Sequence, residues 1–193
     1  MTFDNFLELN KKDQEKILKD PDLLKELVKK NISARRFKHS LSTAEECRKL
    51  ALFHEVDPKK AYMAGLLHDC CKFEGDDADK KVMAILALHE PKRLKSNATG
   101  VFHSWAAYYY LKEKLNYQDE EVLTAIYNHT ILNSDDKLSM ILWIVDKREP
   151  LRGFDDNILE VAQYDLYRAY SSISEEVEQY IKSKHERYIK DRL

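Results

Sequence analysis

The sequence predicts an all-α protein, a helical bundle with a short N-terminal helical extension, and three observations lead there. Gly and Pro number only four each among 193 residues, too few for a strand-rich or loop-rich chain. Leu, Lys, Glu, Ala and Asp dominate the composition, and most of these are residues that helices tolerate well. Apolar residues also recur at three- and four-residue spacing along most of the chain. An apolar fraction of 44% beside 34% charged residues suits a globular core under a hydrated surface.

Each element follows from local signals. Phe3, Phe6, Leu7, Ile17, Leu18, Leu23, Leu24, Leu27 and Val28 predict one or two short amphipathic helices in the first thirty residues. Asp20 caps the second of these and Pro21 occupies its first turn. Asn31 or Ser33 can cap a helix that carries His39, Ala44, Cys47 and Leu50 to about residue 56. Asp57-Pro58 signals another start, for a helix ending near His68-Asp69-Cys70-Cys71. Its run AYMAGLLHDCC is apolar on every side, which places it in the middle of the core.

A polar loop around Gly75 follows over residues 72–80, then a short helix from about 81 to 89. Residues 91–100 read as a basic loop, with Lys92, Arg93 and Lys95 solvated. A helix over 101–115 carries His103 near its start and partly packs Tyr108, Tyr109 and Tyr110. Asp119 caps a helix from 120 to about 131, and the turn at 133–136 leads into KLSMILWIVDKRE, a buried helix stopped by Pro150. Two amphipathic helices, over 157–170 and 174–192, follow. With neither repeat nor linker, the organisation is one domain over 1–193: N-terminal helices (1–30), a motif-bearing core (34–153) and C-terminal helices (154–193).

Charge and cysteine usage narrow the function classes. A net charge of −2 lacks the electrostatic footprint of a general nucleic-acid or membrane binder. Cys47, Cys70 and Cys71 are odd in number and show no CxxC spacing, which argues against a disulfide framework or a zinc–thiolate site and for a reducing compartment. The first residues have no signal-peptide core, and no uncharged apolar run approaches the roughly 20 residues of a membrane span. The expected location is the cytoplasm. Cys70 and Cys71 are expected to pack as small apolar groups, not to act as nucleophiles.

The chemistry-bearing residues start with His68-Asp69. An ionised Asp at the end of an apolar helix is unfavourable unless paired or metal-bound. Adjacent helical side chains diverge by about 100°, so both can face one ion only near a helix end. Alone, the pair reads more simply as an exposed helix terminus. Asp146 directly follows Ile141, Leu142, Trp143, Ile144 and Val145, and alone it too reads as the first exposed residue of its helix.

His39, His68-Asp69 and Asp146 together resemble the motif pattern of the HD superfamily of metal phosphohydrolases. The flanks sharpen this. ARRFKHSLSTAEECRKLA, KAYMAGLLHDCCK, the HSWAAYY run at His103, AIYNHT at His129 and IVDKREPLR resemble, in order, successive blocks of its YqeK family over about residues 34–153. The resemblance implies an HD-domain bundle with symmetrical bis(5′-nucleosyl)-tetraphosphatase activity, which splits diadenosine tetraphosphate into two ADP. It adds His103 and His129 to the quartet and so implies two metal ions. Asp69 would bridge them, with His39, His68 and Asp146 on one ion and His103 and His129 on the other. Imidazole and carboxylate ligands without thiolate suit iron, manganese or similar ions better than a structural zinc site; the expected pair is divalent or mixed-valence iron, with manganese, cobalt or nickel as alternatives. A metal-bridging hydroxide would then be the nucleophile, with no side-chain nucleophile required.

The resemblance also suggests supporting roles. Lys72 would contact a phosphate or assist protonation of the leaving group, Arg148 and Arg152 would contact substrate, and Thr130 would orient the adjacent His129 or contact substrate. Arg152 is the better phosphate ligand of the two arginines, by the match of EPLR and by its bidentate guanidinium. Arg36 and Lys38 flank His39 and are explained equally by a solvated helix face. Of the seven histidines, His54, His89 and His185 are left over and read as surface residues. The chain departs from the family at Ile131-Leu132-Asn133, where members often carry a Gly, and in the two cysteines after Asp69. The implied partner is a dinucleoside polyphosphate, with no nucleic acid or membrane and with a homodimer as the assembly to consider. Other readings are an HD phosphohydrolase of nucleoside mono-, di- or triphosphates or of an alarmone, a non-enzymatic nucleotide sensor, and an RNA-binding helical protein.

Overall fold

The computed structural model describes residues 1–73, 77–95 and 99–190; Gly75, the predicted helix limit at 192 and the side chain of His185 lie outside what it describes. Among the described residues the chain forms eleven α-helices and no strand, the all-α architecture that composition and periodicity predict.

The N-terminal extension is three helices instead of one or two: α1 (Phe3–Leu7), α2 (Lys11–Lys19) and α3 (Pro21–Lys29). The physical reason is capping. Side chains of Thr2, Asn10 and Asp20 each accept a backbone N–H of the turn that follows, so the chain restarts three times. Phe3, Phe6, Leu18, Leu24, Leu27 and Val28 join the same apolar core as the later helices, and Phe3 N donates to Asn31 Oδ1 at 2.6 Å.

Ser33 caps α4 (Ala34–Ala51), which stops five residues short of the predicted end. Residues 52–55 turn instead, with Leu52 and Phe53 exposed and Glu55 at φ 58°. Asp57 caps α5 (Pro58–Leu67), and every residue from Ala61 to Leu67 is buried. Helices α4 and α5 pack backbone against backbone at Gly65, where a Cβ would lie 2.6 Å from Ala44 Cα.

Helix α6 (Ala78–His89) begins before the predicted start. The segment after it is not simply a solvated basic loop. Arg93 pairs with Glu90, lies 4.1 Å over the Trp105 ring and donates to the Tyr127 hydroxyl at 2.7 Å. Glu90 also accepts from the hydroxyls of Tyr109 and Tyr127. Helix α7 (Phe102–Tyr109) ends in a π turn over Tyr110–Lys114, and α8 (Glu120–Asn128), capped by Asp119, ends three residues before its predicted limit. Helix α9 (Lys137–Arg148) starts on the Asp136 cap and is buried from Leu138 to Asp146.

The break between α10 (Ile158–Tyr164) and α11 (Leu166–Lys190) falls at Asp165 instead of near residues 170–174. The Asp165 side chain accepts the Arg168 N–H at 2.9 Å, a cap that reads in the sequence only as one more polar residue. His54 and His89 are also less exposed than expected. His54 Nε2 meets the Ala162 carbonyl at 2.6 Å, and His89 stacks on Tyr109 with ring centroids 4.2 Å apart.

Two apolar helices organise the rest. Helix α5 packs against α3, α4, α8 and α9, and α9 packs against α4, α5, α8, α10 and α11. Their polar C-terminal ends meet inside the bundle.

Candidate metal centre

The end of α5 resolves the angular problem of adjacent ligands. His68 is the last residue held by a helical bond, its N–H on the Ala64 carbonyl at 3.0 Å. The chain then tightens through Cys70 N to Leu67 O and Lys72 N to Asp69 O. His68 and Asp69 therefore both turn inward and are essentially inaccessible. His39 comes from α4, His103 from the first turn of α7, His129 from the C-terminal cap of α8 and Asp146 from the last turns of α9.

The six residues the sequence singled out as ligands converge. His39 Nε2 lies 3.2 Å from His68 Nε2 and 3.1 Å from Asp146 Oδ1. His103 Nε2 and His129 Nε2 are 3.0 Å apart, and Asp69 Oδ1 lies 3.5 Å from the first and 3.8 Å from the second. Asp69 sits between the halves, with Oδ1 3.4 Å from His68 Nε2 and Oδ2 3.9 Å from His39 Nε2. His39, His68 and Asp146, and likewise His68, Asp69 and His129, bring three ligand atoms within 4.8 Å of one another.

Hydrogen bonds outside the cluster orient the rings. Nδ1 of His39 faces Glu149 Oε1 at 3.0 Å, Nδ1 of His68 the Gly65 carbonyl at 2.7 Å, and Nδ1 of His129 the Ile126 carbonyl at 2.6 Å. An oxygen acceptor puts the ring proton on Nδ1, which leaves Nε2 as the ligand atom pointing inward. Asp69 Oδ1 is buried and accepts no hydrogen bond of good direction; its 2.9 Å contact with Lys72 Nζ is an ion pair off that direction. Four ring nitrogens and two carboxylates converging around an orphaned buried oxygen fit a divalent metal centre of nitrogen and oxygen ligands.

Titration behaviour agrees with that fit. Burial, with Lys72 adding to it, pushes His103 down to about 4, and burial beside His68 and His103 holds His129 well below its ordinary value. Both imidazoles are therefore neutral and free to ligate. Burial alone would raise Asp69 and Asp146. Interaction with His68 and then Lys72 holds Asp69 low, and contact with the His39 and His68 rings holds Asp146 low. Burial opposes protonation of His39, but its bonds to Asp146 and Glu149 raise it overall, so a proton competes with a cation there.

The proposed substrate residues divide. Lys72 and Arg152 border the cluster, with Arg152 Nη2 2.9 Å from Asp146 Oδ1. Arg36 reaches Asp69 Oδ2 at 3.7 Å. These three residues, with Arg35 and Lys38, line a cavity of about 650 Å³ onto which His39, Asp69 and Glu149 open. Arg36 and Lys38 thus belong to this cavity and not merely to a solvated helix face.

Arg148 is a correction. It is buried on the other side of its helix, where Nε donates to Asp156 at 2.8 Å, Nη2 pairs with Glu176 and the guanidinium covers Phe154. Thr130, for which the sequence also allowed a role in orienting His129, turns toward the His103 segment. Its hydroxyl bonds that of Ser104 at 2.7 Å and so ties together the residues following His129 and His103. Cys70 and Cys71 are buried, and burial raises the Cys71 thiol well above its ordinary value, as packing residues require. Sequence reasoning gave Glu149 no role, yet it is buried and holds His39 through one carboxylate oxygen and the Leu151 N–H through the other. Its position three residues after Asp146 was the available signal.

Among known families, the HD domain matches residues 36–151. A Staphylococcus aureus protein named symmetrical bis(5′-nucleosyl)-tetraphosphatase is 33% identical over 136 residues, covering 68% of this chain and 69% of that protein. A Bacillus subtilis protein of the same name is 28% identical over 145 residues, covering 74% and 77%. A Mycoplasma genitalium protein described as a probable nicotinate-nucleotide adenylyltransferase/Ap4A hydrolase is 31% identical over 152 residues, or 74% of this chain, and the match spans only 42% of that longer protein. A Clostridium acetobutylicum crystal structure, described as a predicted HD superfamily hydrolase involved in NAD metabolism, superposes with a TM-score of 0.76 at 26% identity, covering 86% of this chain and 89% of that one.

Proposed function

The chain belongs to the HD-domain family, and from that premise we propose that it hydrolyses dinucleoside polyphosphates, splitting diadenosine tetraphosphate symmetrically into two ADP. The observation that carries this reading is the cavity beside the His/Asp cluster. Five cationic side chains (Arg35, Arg36, Lys38, Lys72 and Arg152) line it against two carboxylates, and its volume suits a small-molecule ligand. Such a wall favours a chain of phosphates over a neutral substrate. The names of the Staphylococcus and Bacillus relatives supply the substrate.

In this reading the two halves would take two metal ions, divalent or mixed-valence, iron first and manganese, cobalt or nickel as alternatives. His39, His68 and Asp146 would hold one, His103 and His129 would hold the other, and Asp69 would serve both. The chemistry the ions supply when bound is a water acidified enough to attack at neutral pH and neutralisation of phosphate charge. The protein does the rest. Arg152 and Arg36, which reach toward Asp146 and Asp69, fix phosphate oxygens at the edge of the cluster. Lys72, held by Asp69, binds the phosphate chain or protonates the departing ADP oxygen. Glu149 sets the orientation of His39, and the Thr130–Ser104 bond steadies the His103 and His129 segments.

The test is product analysis. Protein loaded with iron, manganese or cobalt is expected to convert diadenosine tetraphosphate into ADP as the sole nucleotide product. ATP plus AMP would overturn the symmetrical reaction, and turnover confined to mononucleotides would overturn the substrate.

A further inference from the structure

Lys147 follows a proposed ligand in sequence, yet its side chain reaches back across the bundle to another. Nζ donates to the His129 carbonyl at 3.0 Å and to the Trp143 carbonyl at 3.4 Å. It lies 3.7 Å from Asp146 Oδ2 and 4.1 Å from the centre of the Trp143 ring. The stem and ammonium are largely enclosed, with 19% of the side chain exposed. His129 needs such an anchor, because α8 ends at Asn128 and the path from there to α9 is turn and irregular chain. The His129 N–H retains only a long 3.4 Å bond to Ile126.

We propose that Lys147 is a positioning residue that locks the His129 side of the centre onto the helix carrying Asp146, and so sets the spacing between the two ion-binding halves. The inference rests on the two-ion reading above. One ammonium group contacts the backbone of a ligand from one half and the carboxylate of a ligand from the other. Hydrogen bonding to a buried carbonyl fixes position, because leaving that carbonyl unpaired is unfavourable. The electrostatic consequence differs between the halves. A fixed cation beside Asp146 weakens the pull of that carboxylate on the first ion, whereas the hydrogen bond to His129 favours the second.

These opposite signs separate positioning from general loosening. Lys147→Met keeps the stem over Trp143 and removes the donor. Manganese(II) is titrated calorimetrically into the ion-free wild-type protein, K147M and K147R, with thermal melting run alongside. In K147M the first ion is expected to bind at least as tightly as in wild type and the second about 10–100-fold more weakly. K147R, which restores N–H donors, is expected to recover part of the second-site affinity.

Unchanged second-site affinity in K147M, or both affinities falling together, overturns the proposal. So does a K147R that binds the second ion no better than K147M. A wild-type protein that binds a single ion overturns the two-ion reading itself, and this shows before any variant is measured. If K147M does not fold, K147L, which also lacks a donor, takes its place under the same criteria.

Discussion

Glu149 Oε1 accepts the Nδ1 hydrogen of His39 at 3.0 Å, and that bond decides which nitrogen of His39 faces the cluster. The same carboxylate is pinned by the Leu151 N–H at 2.8 Å, so the ring is held by a rigid backbone turn and not by a free side chain. Glu149→Ala releases the ring. The expected result is a 10–100-fold loss of metal affinity with a parallel fall in hydrolysis. Glu149→Gln, which can still accept the bond, is expected to lose less. Metal titration of both variants checks this, and equal losses would contradict it.

Among the described residues, Asp69 is the carboxylate that contacts both halves of the cluster. Asp69→Asn removes the charge while keeping the shape. Hydrolysis is expected to fall beyond the roughly 100-fold typical of residues behind the ligands, with both ions bound more weakly. Steady-state kinetics and metal analysis of one preparation test the two parts.

Arg148 and Arg152 lie four residues apart and make opposite predictions. Arg152→Ala is expected to raise KM or lower kcat for the tetraphosphate and leave the melting temperature nearly unchanged, since the side chain is 39% exposed at the cavity. Arg148→Ala strands a buried network with Asp156 and Glu176. It is expected to destabilise by about 2 kcal/mol, less than a fully buried pair because both partners reach solvent. Its kinetics at a temperature where it remains folded should match wild type.

Gly65 lets α4 and α5 pack backbone against backbone. A Cβ there would meet Ala44 backbone atoms at 2.6 and 2.7 Å, and backbone cannot rotate aside. Gly65→Ala is expected to destabilise by about 3 kcal/mol, the upper part of the overpacking range. It should also weaken metal binding, because His39 and His68 lie on the two helices being forced apart. Urea denaturation measures the first effect and metal titration the second.

Acid should weaken the ion-free protein. His103 is pushed to about 4 by burial and Lys72, and His129 is held well below its ordinary value by burial and its histidine neighbours. Unfolded histidines titrate near 6.5. A lowered folded value means that the unfolded chain binds protons first, so this stability is complete above about 6.5 and is lost as pH falls toward about 4. His39 is raised, so its contribution is gained above about 6.5 and is already complete where that loss begins. The Asp69 and Asp146 contributions are lost only below the ordinary carboxylate range. The melting temperature should therefore fall from about pH 6.5 to about pH 4.5, and a flat or rising profile would contradict the assignment.

What was legible in the sequence was local or periodic. The caps at Asp20, Ser33, Asp57, Asp119 and Asp136 act on N–H groups two or three residues away, and the apolar runs of α5 and α9 announce their burial. The ligand residues were legible through motif blocks whose order survives although the residues lie far apart. What was not legible depends on partners brought close only by folding. Glu149 finds His39 at a separation of 110 residues, Lys147 finds the His129 carbonyl, and Arg148 finds Glu176 on α11. Arg93 looked like a loop cation because Trp105 and Tyr127, which hold it, lie on other helices.

The central claim is a two-ion centre divided by Asp69. The most direct measurement is anomalous diffraction from crystals of the manganese- or iron-loaded protein. The account predicts two peaks about 3.5–4 Å apart, one near His39, His68 and Asp146 and one near His103 and His129, with Asp69 between them. A single peak confined to one half, or two peaks with Asp69 bound to neither, would contradict it.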